Sequence, residues 1–397
     1  MNRSVWMAVA LLLAGNACAR EEEAPMKKTC MESTLAGSWY DADPGRLRTE
    51  LEGYLAAARV ESDPAIFAVV VPHAGYAYSG PCAAVGMRAL AARKDLERVV
   101  VIGFSHRVHL PNRASLPATE THYRSPLGET PLDVAAIAAL MKNPLFVDRA
   151  DTRRGENSVE LQLPLLQVAL AGRDWKLIPV TLGQLDDGVR DQVAAALGEL
   201  LDGKTALVVS SDFTHYGPNF GYVPFRTDVE ANLRELDGGA IAKIVAGDAD
   251  GFAAYCEKTG ATICGQDSIG VLLRMLPEKF TAREIAYDTS GRSTGDWRNS
   301  VSYASIGFYG SGRPAKKAAA APAAAQQAAE LTAEDKKVLL ALARETISRA
   351  LKGEKPSDPE ELGVQPTPAM QRKMGGFVTL TIGGELRGCI GEIFPRR

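Results

Sequence analysis

Short apolar runs recur between residues 66 and 209 and predict buried strands. They cover residues 66–71, 99–102, 177–180 and 206–209. Each run is apolar at every position, which is typical of a strand covered on both faces of its sheet. Patterns typical of helices lie between the runs, for example at residues 131–141 and 159–170. This alternation predicts an α/β domain over residues 34–312, with three layers and a mostly parallel central sheet.

The apolar run near the N-terminus predicts an export signal. Residues 5–13 are uninterruptedly apolar but too few to span a bilayer, which takes about 20 residues. We therefore expect a signal peptide over residues 1–19 and a linker over residues 20–33. Two processing routes stay open, lipidation of Cys18 or ordinary cleavage after Ala19. Either route predicts an exported protein, periplasmic or lipid-anchored to the cell envelope. We expect membrane contact only through the lipid anchor, where lipidation is the route.

The composition changes again towards the C-terminus. Residues 313–330 are rich in alanine, with proline and lysine, and predict an interdomain linker. Thr332 precedes an apolar-periodic run, which is typical of a capped helix start. Residues 375–386 have the pattern of a β-hairpin. The sequence thus predicts a second, small α+β unit over residues 331–397.

Composition and charge exclude several classes of protein. Hydrophobic residues make up 46% of the 397 residues and charged residues 23%, which is ordinary for a soluble globular protein. The formal net charge of −3 gives no general attraction to nucleic acid, so we expect no nucleic-acid partner. Six cysteines are too few for a disulfide scaffold in a chain of this length. Only 5 histidines are present, so each can be considered individually.

Polar clusters follow four of the predicted strands directly. They occupy residues 72–80, 103–106, 181–183 and 210–217. Ligands of open α/β sheets bind at the carboxyl ends of the strands, and parallel strands share that edge. The side chains at this edge that could bind a metal or transfer protons are His73, His106, Asp212 and His215. We expect them to converge on one cleft.

This set of side chains suits a catalytic metal. Two imidazoles with a thiolate or carboxylate can bind iron, zinc or copper, and rigid strand ends can leave a coordination position open. The spacing along the chain is long, so no short metal-binding motif supports the prediction. For each histidine, the alternative is a structural hydrogen bond at a strand end.

Five segments together resemble the Memo family, in order and at similar distances. The segments are residues 71–80, 103–106, 156–164, 210–217 and 262–265. Each is a weak signal alone, but all five in order are specific. The resemblance covers about residues 34–310.

The resemblance implies a fold and a metal site. The family is similar in fold to the class III extradiol ring-cleaving dioxygenases. Its proposed ligands, two histidines and one cysteine, correspond to His73, His106 and Cys264. Cys264 is selected by the resemblance alone, because it belongs to none of the four strand-end clusters. The segment with Asp212 and His215 would line the same cleft and act on protons during catalysis.

Three further residues are expected to line a substrate pocket, and one of them departs from the family pattern. They are Tyr76, Tyr78 and Asn157. The family usually has histidine at position 157, and asparagine can form hydrogen bonds but cannot titrate near neutral pH. A second tension concerns Cys264, because a disulfide with Cys256 would remove it as a ligand. Metal ligation is the preferred interpretation.

The C-terminal unit resembles the beginning of an AMMECR domain. Residues 376–380 and 386–391 carry that resemblance. Such domains normally continue well beyond this segment, so a partial AMMECR-like domain is implied. Memo-like and AMMECR-like parts occur together with a radical SAM protein in the AmmeMemoRadiSam system. The chain resembles protein B of that system, and the radical SAM protein is the implied partner.

Three functions follow from these observations. The first is a non-haem iron-dependent oxidoreductase with an unknown small-molecule substrate, with Fe(II) as the cofactor and copper or zinc as alternatives. The second is a non-catalytic metal-binding or partner-binding component of an AmmeMemoRadiSam system. The third is a zinc-dependent hydrolase, which the same ligand set could support.

Overall fold

A computed structural model describes residues 27–312, 331–354, 363, 365–370, 376–382 and 385–392. The predicted signal peptide and the Ala-rich linker lie outside the described residues. Within them, no helix is both long and apolar enough to cross a membrane.

The strands, numbered in chain order, are β1 (Cys30–Glu32), β2 (Ile66–Val71), β3 (Arg98–Phe104), β4 (Ala114–Ser115), β5 (His122–Ser125), β6 (Gly128–Pro131), β7 (Phe146–Val147), β8 (Lys176–Leu182), β9 (Thr205–Ser210), β10 (His215–Tyr216), β11 (Phe280–Thr289), β12 (Ser300–Gly310), β13 (Gly376–Ile382) and β14 (Glu385–Glu392). The helices are α1 (Pro44–Ala57), α2 (Tyr76–Leu90), α3 (Val134–Leu140), α4 (Asn157–Glu160), α5 (Gln162–Ala169), α6 (Asp187–Gly198), α7 (Val229–Val245), α8 (Ala249–Thr259), α9 (Gln266–Arg274), α10 (Ser290–Thr294) and α11 (Ala333–Leu351).

The central sheet confirms the predicted α/β fold. In the described part of the chain it has nine strands, and its middle runs in the order β2-β9-β3-β8. These four strands are mutually parallel, because each pairs in parallel with its neighbour. Antiparallel pairs flank these strands, since β12 pairs with β2 and β11 and β4 pairs with β8, and the last strand on that side, β7, pairs with β4 in parallel.

Helices cover both faces of the parallel strands. Every residue of β2 and β9 is buried, as their uninterrupted apolar sequences predict. One group of helices, α1, α2, α4 and α5, packs together against the sheet, and a second group, α6 to α9, packs together separately. The protein therefore has the predicted three layers.

Two predicted helices differ in detail from the structure. The pattern at residues 131–141 becomes the end of β6 followed by α3, because Asp133 caps that helix by accepting a hydrogen bond from the backbone N–H of Ala136. The pattern at residues 159–170 becomes α4 and α5. In the C-terminal unit, Thr332 caps α11 in a capping box with Asp335, and β13 and β14 form the expected hairpin.

Candidate metal centre

The topology of the sheet brings the predicted ligands to one place. β9 lies between β2 and β3, so the loops that follow these three strands are adjacent at the carboxyl edge. His73 lies in the loop after β2, Asp212 in the loop after β9 and His106 in the loop after β3. Cys264 arrives from the loop just before α9. Gly265 makes this approach possible, since a Cβ there would lie 2.5 Å from the Cβ of Ser211.

The two histidines and the cysteine form a compact cluster. The candidate ligand atoms of His73, His106 and Cys264 all lie within 4.8 Å of one another. His73 Nε2 is 3.1 Å from Cys264 Sγ. The two imidazole rings meet edge to face, with centroids 5.2 Å apart. The structure thus brings together the three residues that the resemblance implies.

The His73 imidazole is held by neutral partners. Its Nδ1 lies 2.8 Å from Ser210 Oγ, at the end of β9. The Ser210 hydroxyl also accepts a hydrogen bond from Gln162 Nε2 at 2.9 Å, and the same amide donates to the Pro72 carbonyl at 2.9 Å. These contacts fix the ring with Nε2 towards Cys264.

The His106 imidazole is held by a buried carboxylate. Glu156 Oε1 lies 2.8 Å from His106 Nδ1, and Oε2 accepts a hydrogen bond from the backbone N–H of His106 at 2.7 Å. Burial lowers the pKa of His106, but Cys264 and Glu156 raise it more, to about 10. Burial in turn raises the pKa of Glu156, and the contact with His106 more than reverses this, so that the pKa lies below its ordinary value.

The surroundings of Cys264 favour ionisation of its thiol. Burial raises its pKa, but His73 and His106 lower it more strongly, to about 7. The backbone N–H of Asp212 also donates to Cys264 Sγ over 3.2 Å. The thiolate is the form that binds metals, so this environment favours ligation.

The short segment Glu156–Gln162 organises much of the site, which the sequence analysis missed. Glu156 is the N-cap of α4 and supports His106, and Gln162 supports Ser210. Ser158 Oγ accepts from the backbone N–H of Phe104 and donates to its carbonyl, which fastens α4 to the end of β3. The approach needs glycine at position 103, where a Cβ would lie 2.4 Å from Ser158 Oγ. This segment fell within the family resemblance, which is the only sequence signal that marked it.

Glu160 follows Glu156 by four residues and makes a separate set of contacts. Both are buried. The Glu160 carboxylate accepts hydrogen bonds from the backbone N–H groups of Thr34 and Leu35 and from the hydroxyl of Tyr40. It therefore holds the N-terminal part of the domain against α4.

Asp212 and His215 both act on the backbone around the centre. Asp212 Oδ1 accepts a hydrogen bond from the backbone N–H of His73 at 2.7 Å. Burial raises the pKa of Asp212, although His215 and His106 oppose the rise. His215 Nδ1 lies 3.0 Å from the carbonyls of both Phe213 and Thr262. The predicted action of both residues on protons stays a prediction.

The three predicted pocket residues lie in different environments. Tyr78 is exposed and lines a pocket next to Ala74 and Gly75. Tyr76 does not line this pocket: it is buried in the core, where its hydroxyl donates to the Leu161 carbonyl at 2.5 Å, and its predicted role stays a prediction. Asn157 also lies off the pocket wall, and its amide donates to the His73 carbonyl at 3.0 Å. Asparagine therefore acts there as a hydrogen-bond donor to the backbone of His73.

His109, His122 and Cys256 do not belong to the cluster. His109 is exposed and His122 belongs to β5, at the margin of the domain. Cys256 and Cys264 are both free thiols in the structure. Burial raises the pKa of Cys256 to about 12, in contrast to the lowered pKa of Cys264.

Comparisons with known proteins support the resemblance. The family described as Memo-like protein matches residues 31–307, and the AMMECR1 family matches residues 340–397. The curated protein described as Protein MEMO1 from Danio rerio is 32% identical over 293 residues, which cover 70% of this chain and 97% of that protein. Protein MEMO1 from Homo sapiens is 32% identical over 290 residues, covering 69% of this chain and 96% of that protein.

An archaeal relative is similar to the same degree. A MEMO1 family protein from Thermococcus onnurineus is 30% identical over 285 residues, covering 69% of this chain and 97% of that protein. Among solved structures, an uncharacterized Escherichia coli protein, JW3007, matches 62% of this chain and 100% of its own with 13% identity and a TM-score of 0.40, too little to support a conclusion about the fold. The family match covers most of the chain, and the relatives are matched over nearly their full length. The chain therefore belongs to the Memo-like protein family.

Proposed function

We propose that this Memo-like protein binds Fe(II) at His73, His106 and Cys264 and catalyses an oxidoreductase reaction on a small molecule. The observation that carries the proposal is the cluster of three donor atoms within 4.8 Å of one another. Nothing in the short-range sequence requires these residues to meet, since they come from three separate loops.

The residues at the centre fit a metal of this kind. Nδ1 of each histidine is already engaged, by Ser210 for His73 and by Glu156 for His106. That arrangement leaves Nε2 of each ring as the donor, which is how outer partners usually orient metal-binding histidines. Two imidazoles and one thiolate form a mixed set that suits iron, copper or zinc.

Three protein ligands leave coordination positions open, as in catalytic sites. Iron bound there would supply redox chemistry towards dioxygen. Glu156 would hold the His106 imidazole in place, and Ser210 would hold that of His73. Asp212 and His215 are the candidates for moving protons near the centre, because both lie beside the loops that carry His73 and Cys264.

The proposal is tested by metal analysis of the full chain purified without oxygen. Variants His73→Ala, His106→Ala and Cys264→Ser should each lose most of the bound iron. His109→Ala and Cys256→Ser are matched controls, because neither residue belongs to the cluster, and both should retain it. Equal metal content in all five variants would show that the site is wrong.

The identity of the metal and turnover separate the alternatives. Iron in the wild type, with oxygen consumption in the presence of a reductant, supports the oxidoreductase. Zinc in its place would favour a hydrolase. Iron bound without any turnover would favour a non-catalytic component, for which capture of a radical SAM protein is the next measurement.

A further inference from the structure

A pocket of about 510 Å³ opens beside the candidate metal centre. This volume falls in the range that accommodates small organic ligands. Its wall includes Ala74 and Gly75, the two residues that follow His73. It also includes Val301, which pairs with His215 across β10 and β12. The pocket is therefore bounded by the loop that carries one predicted ligand and by the strand next to a predicted catalytic residue.

The pocket wall contains three aromatic side chains. Trp39, Tyr78 and Tyr303 come from three separate parts of the chain. Trp39 is held in place by its backbone, because its carbonyl accepts a hydrogen bond from the N–H of Tyr76 at 3.1 Å. Tyr303 is buried on β12, and Tyr78 is exposed. The faces of such rings carry partial negative charge and attract cations.

The described residues of the pocket wall carry negative charge only. Asp296 is the only charged residue among the described residues that form the wall, which contain no lysine, arginine or histidine. Asp296 is exposed, and its Oδ1 accepts a hydrogen bond from the backbone N–H of Arg298 at 2.8 Å, which helps to orient the carboxylate. Ser290 and Asn299 add neutral hydrogen-bonding groups. A negatively charged ligand would find no positive partner on this wall.

We propose that this pocket binds a small organic cation, a ring-bearing amine, and presents it to the metal centre. The aromatic faces would bind its ring and ammonium group, and Asp296 would pair with the positive charge. The inference rests on the proposed function in one respect only, that the bound amine is the substrate of the centre. Binding of the amine itself depends on the pocket alone.

The test uses three probes of similar size and different charge: 2-phenylethylamine, 2-phenylethanol and phenylacetate. Binding to the full chain is measured by titration calorimetry at neutral pH. We expect the amine to bind about tenfold more tightly than the alcohol, the order of a cation–π contact with a nearby carboxylate. Phenylacetate should bind most weakly.

Two variants and one control sharpen the test. Asp296→Asn should remove part of the preference for the amine, because the aromatic faces remain, and leave the affinity for the alcohol unchanged. Trp39→Leu should weaken both. Asp174→Asn is the control, since Asp174 is exposed just before β8, away from the pocket, and should change nothing.

The same samples are analysed for bound metal, which keeps this inference separate from the proposed function. Iron at the centre without preference for the amine would overturn the inference alone. Preference for the amine without metal would support the cation site and overturn the metal assignment. Tightest binding of phenylacetate, or no binding of any probe, would overturn the inference as well.

Discussion

The two sides of the candidate centre use buried carboxylates in opposite ways. On the β3 side, Glu156 faces the His106 imidazole directly, and its pKa is lowered despite burial. On the β10 side, Asp237 lies behind the segment Asp212–His215 and accepts hydrogen bonds from the N–H and hydroxyl of Thr214. Burial raises the pKa of Asp237, and its hydrogen bonds only oppose that rise.

The comparison distinguishes a carboxylate that acts through its charge from one that acts by holding the backbone in place. A carboxylate that faces an imidazole stabilises positive charge on it and orients it towards a metal. A carboxylate that accepts hydrogen bonds only from neutral groups can hold a loop in place without needing its charge. The β3 side should therefore control the affinity for metal, and the β10 side should control the stability of the cleft.

Glu156→Gln should give the largest effect on metal affinity. The substitution keeps the size of the side chain and removes the charge opposite His106. Loss of such a partner typically weakens metal binding by about 10–100-fold, which competition with a chelator of known affinity would measure. Glu97→Gln is the control, because Glu97 lies exposed just before β3, at the far end of the strand. Unchanged affinity for Glu156→Gln would show that His106 does not need its carboxylate.

His215→Ala should affect stability more than metal binding. The imidazole joins the carbonyls of Phe213 and Thr262, so its removal leaves hydrogen-bonding groups without their partner. We expect a loss of about 1–2 kcal/mol in the free energy of unfolding, measured by denaturant titration. The affinity for iron should stay within about threefold of the wild type, well short of the change expected for a residue that orients a metal ligand. His109→Ala should change neither quantity, and a loss of metal in His215→Ala as large as in His73→Ala would make His215 a ligand.

The same comparison shows which parts of the molecule the sequence could predict. The middle strands were predictable because uninterrupted aliphatic runs have few other uses in a soluble protein. β12 was not predicted, since serines and glycines interrupt its apolar residues, although almost all of its residues are buried. Its place in the sheet depends on pairing with β2 and β11 rather than on its own composition.

The candidate ligands and the residues that support them also differed in how far the sequence could predict them. His73 and His106 were predictable because strand ends of a parallel sheet converge. Cys264 required a family resemblance, since it comes from a loop before a helix. Glu156 lies 50 residues from His106 along the chain, and their contact depends on how α4 packs against the end of β3. A local pattern carries no information about such a contact.

Asp237→Asn should give the smallest effect and one that depends on pH. The folded-state pKa of Asp237 is raised by burial, so folding favours its protonated form. The stability that this form contributes is fully present below the ordinary carboxyl pKa and is lost as the pH rises towards the folded-state pKa. Asparagine cannot ionise, and its amide can still meet the hydroxyls of Thr214 and Tyr287.

The melting temperature of Asp237→Asn should therefore equal that of the wild type at pH 4 and exceed it by about 2–4 °C at pH 8. Metal affinity should be unchanged, because the residue touches no candidate ligand. Asp174→Asn, at an exposed position, should show no such divergence with pH. If Asp237→Asn were less stable at pH 8 than at pH 4 relative to the wild type, the charge of Asp237 would be required to hold the loop. The two sides of the centre would then work by the same electrostatic means.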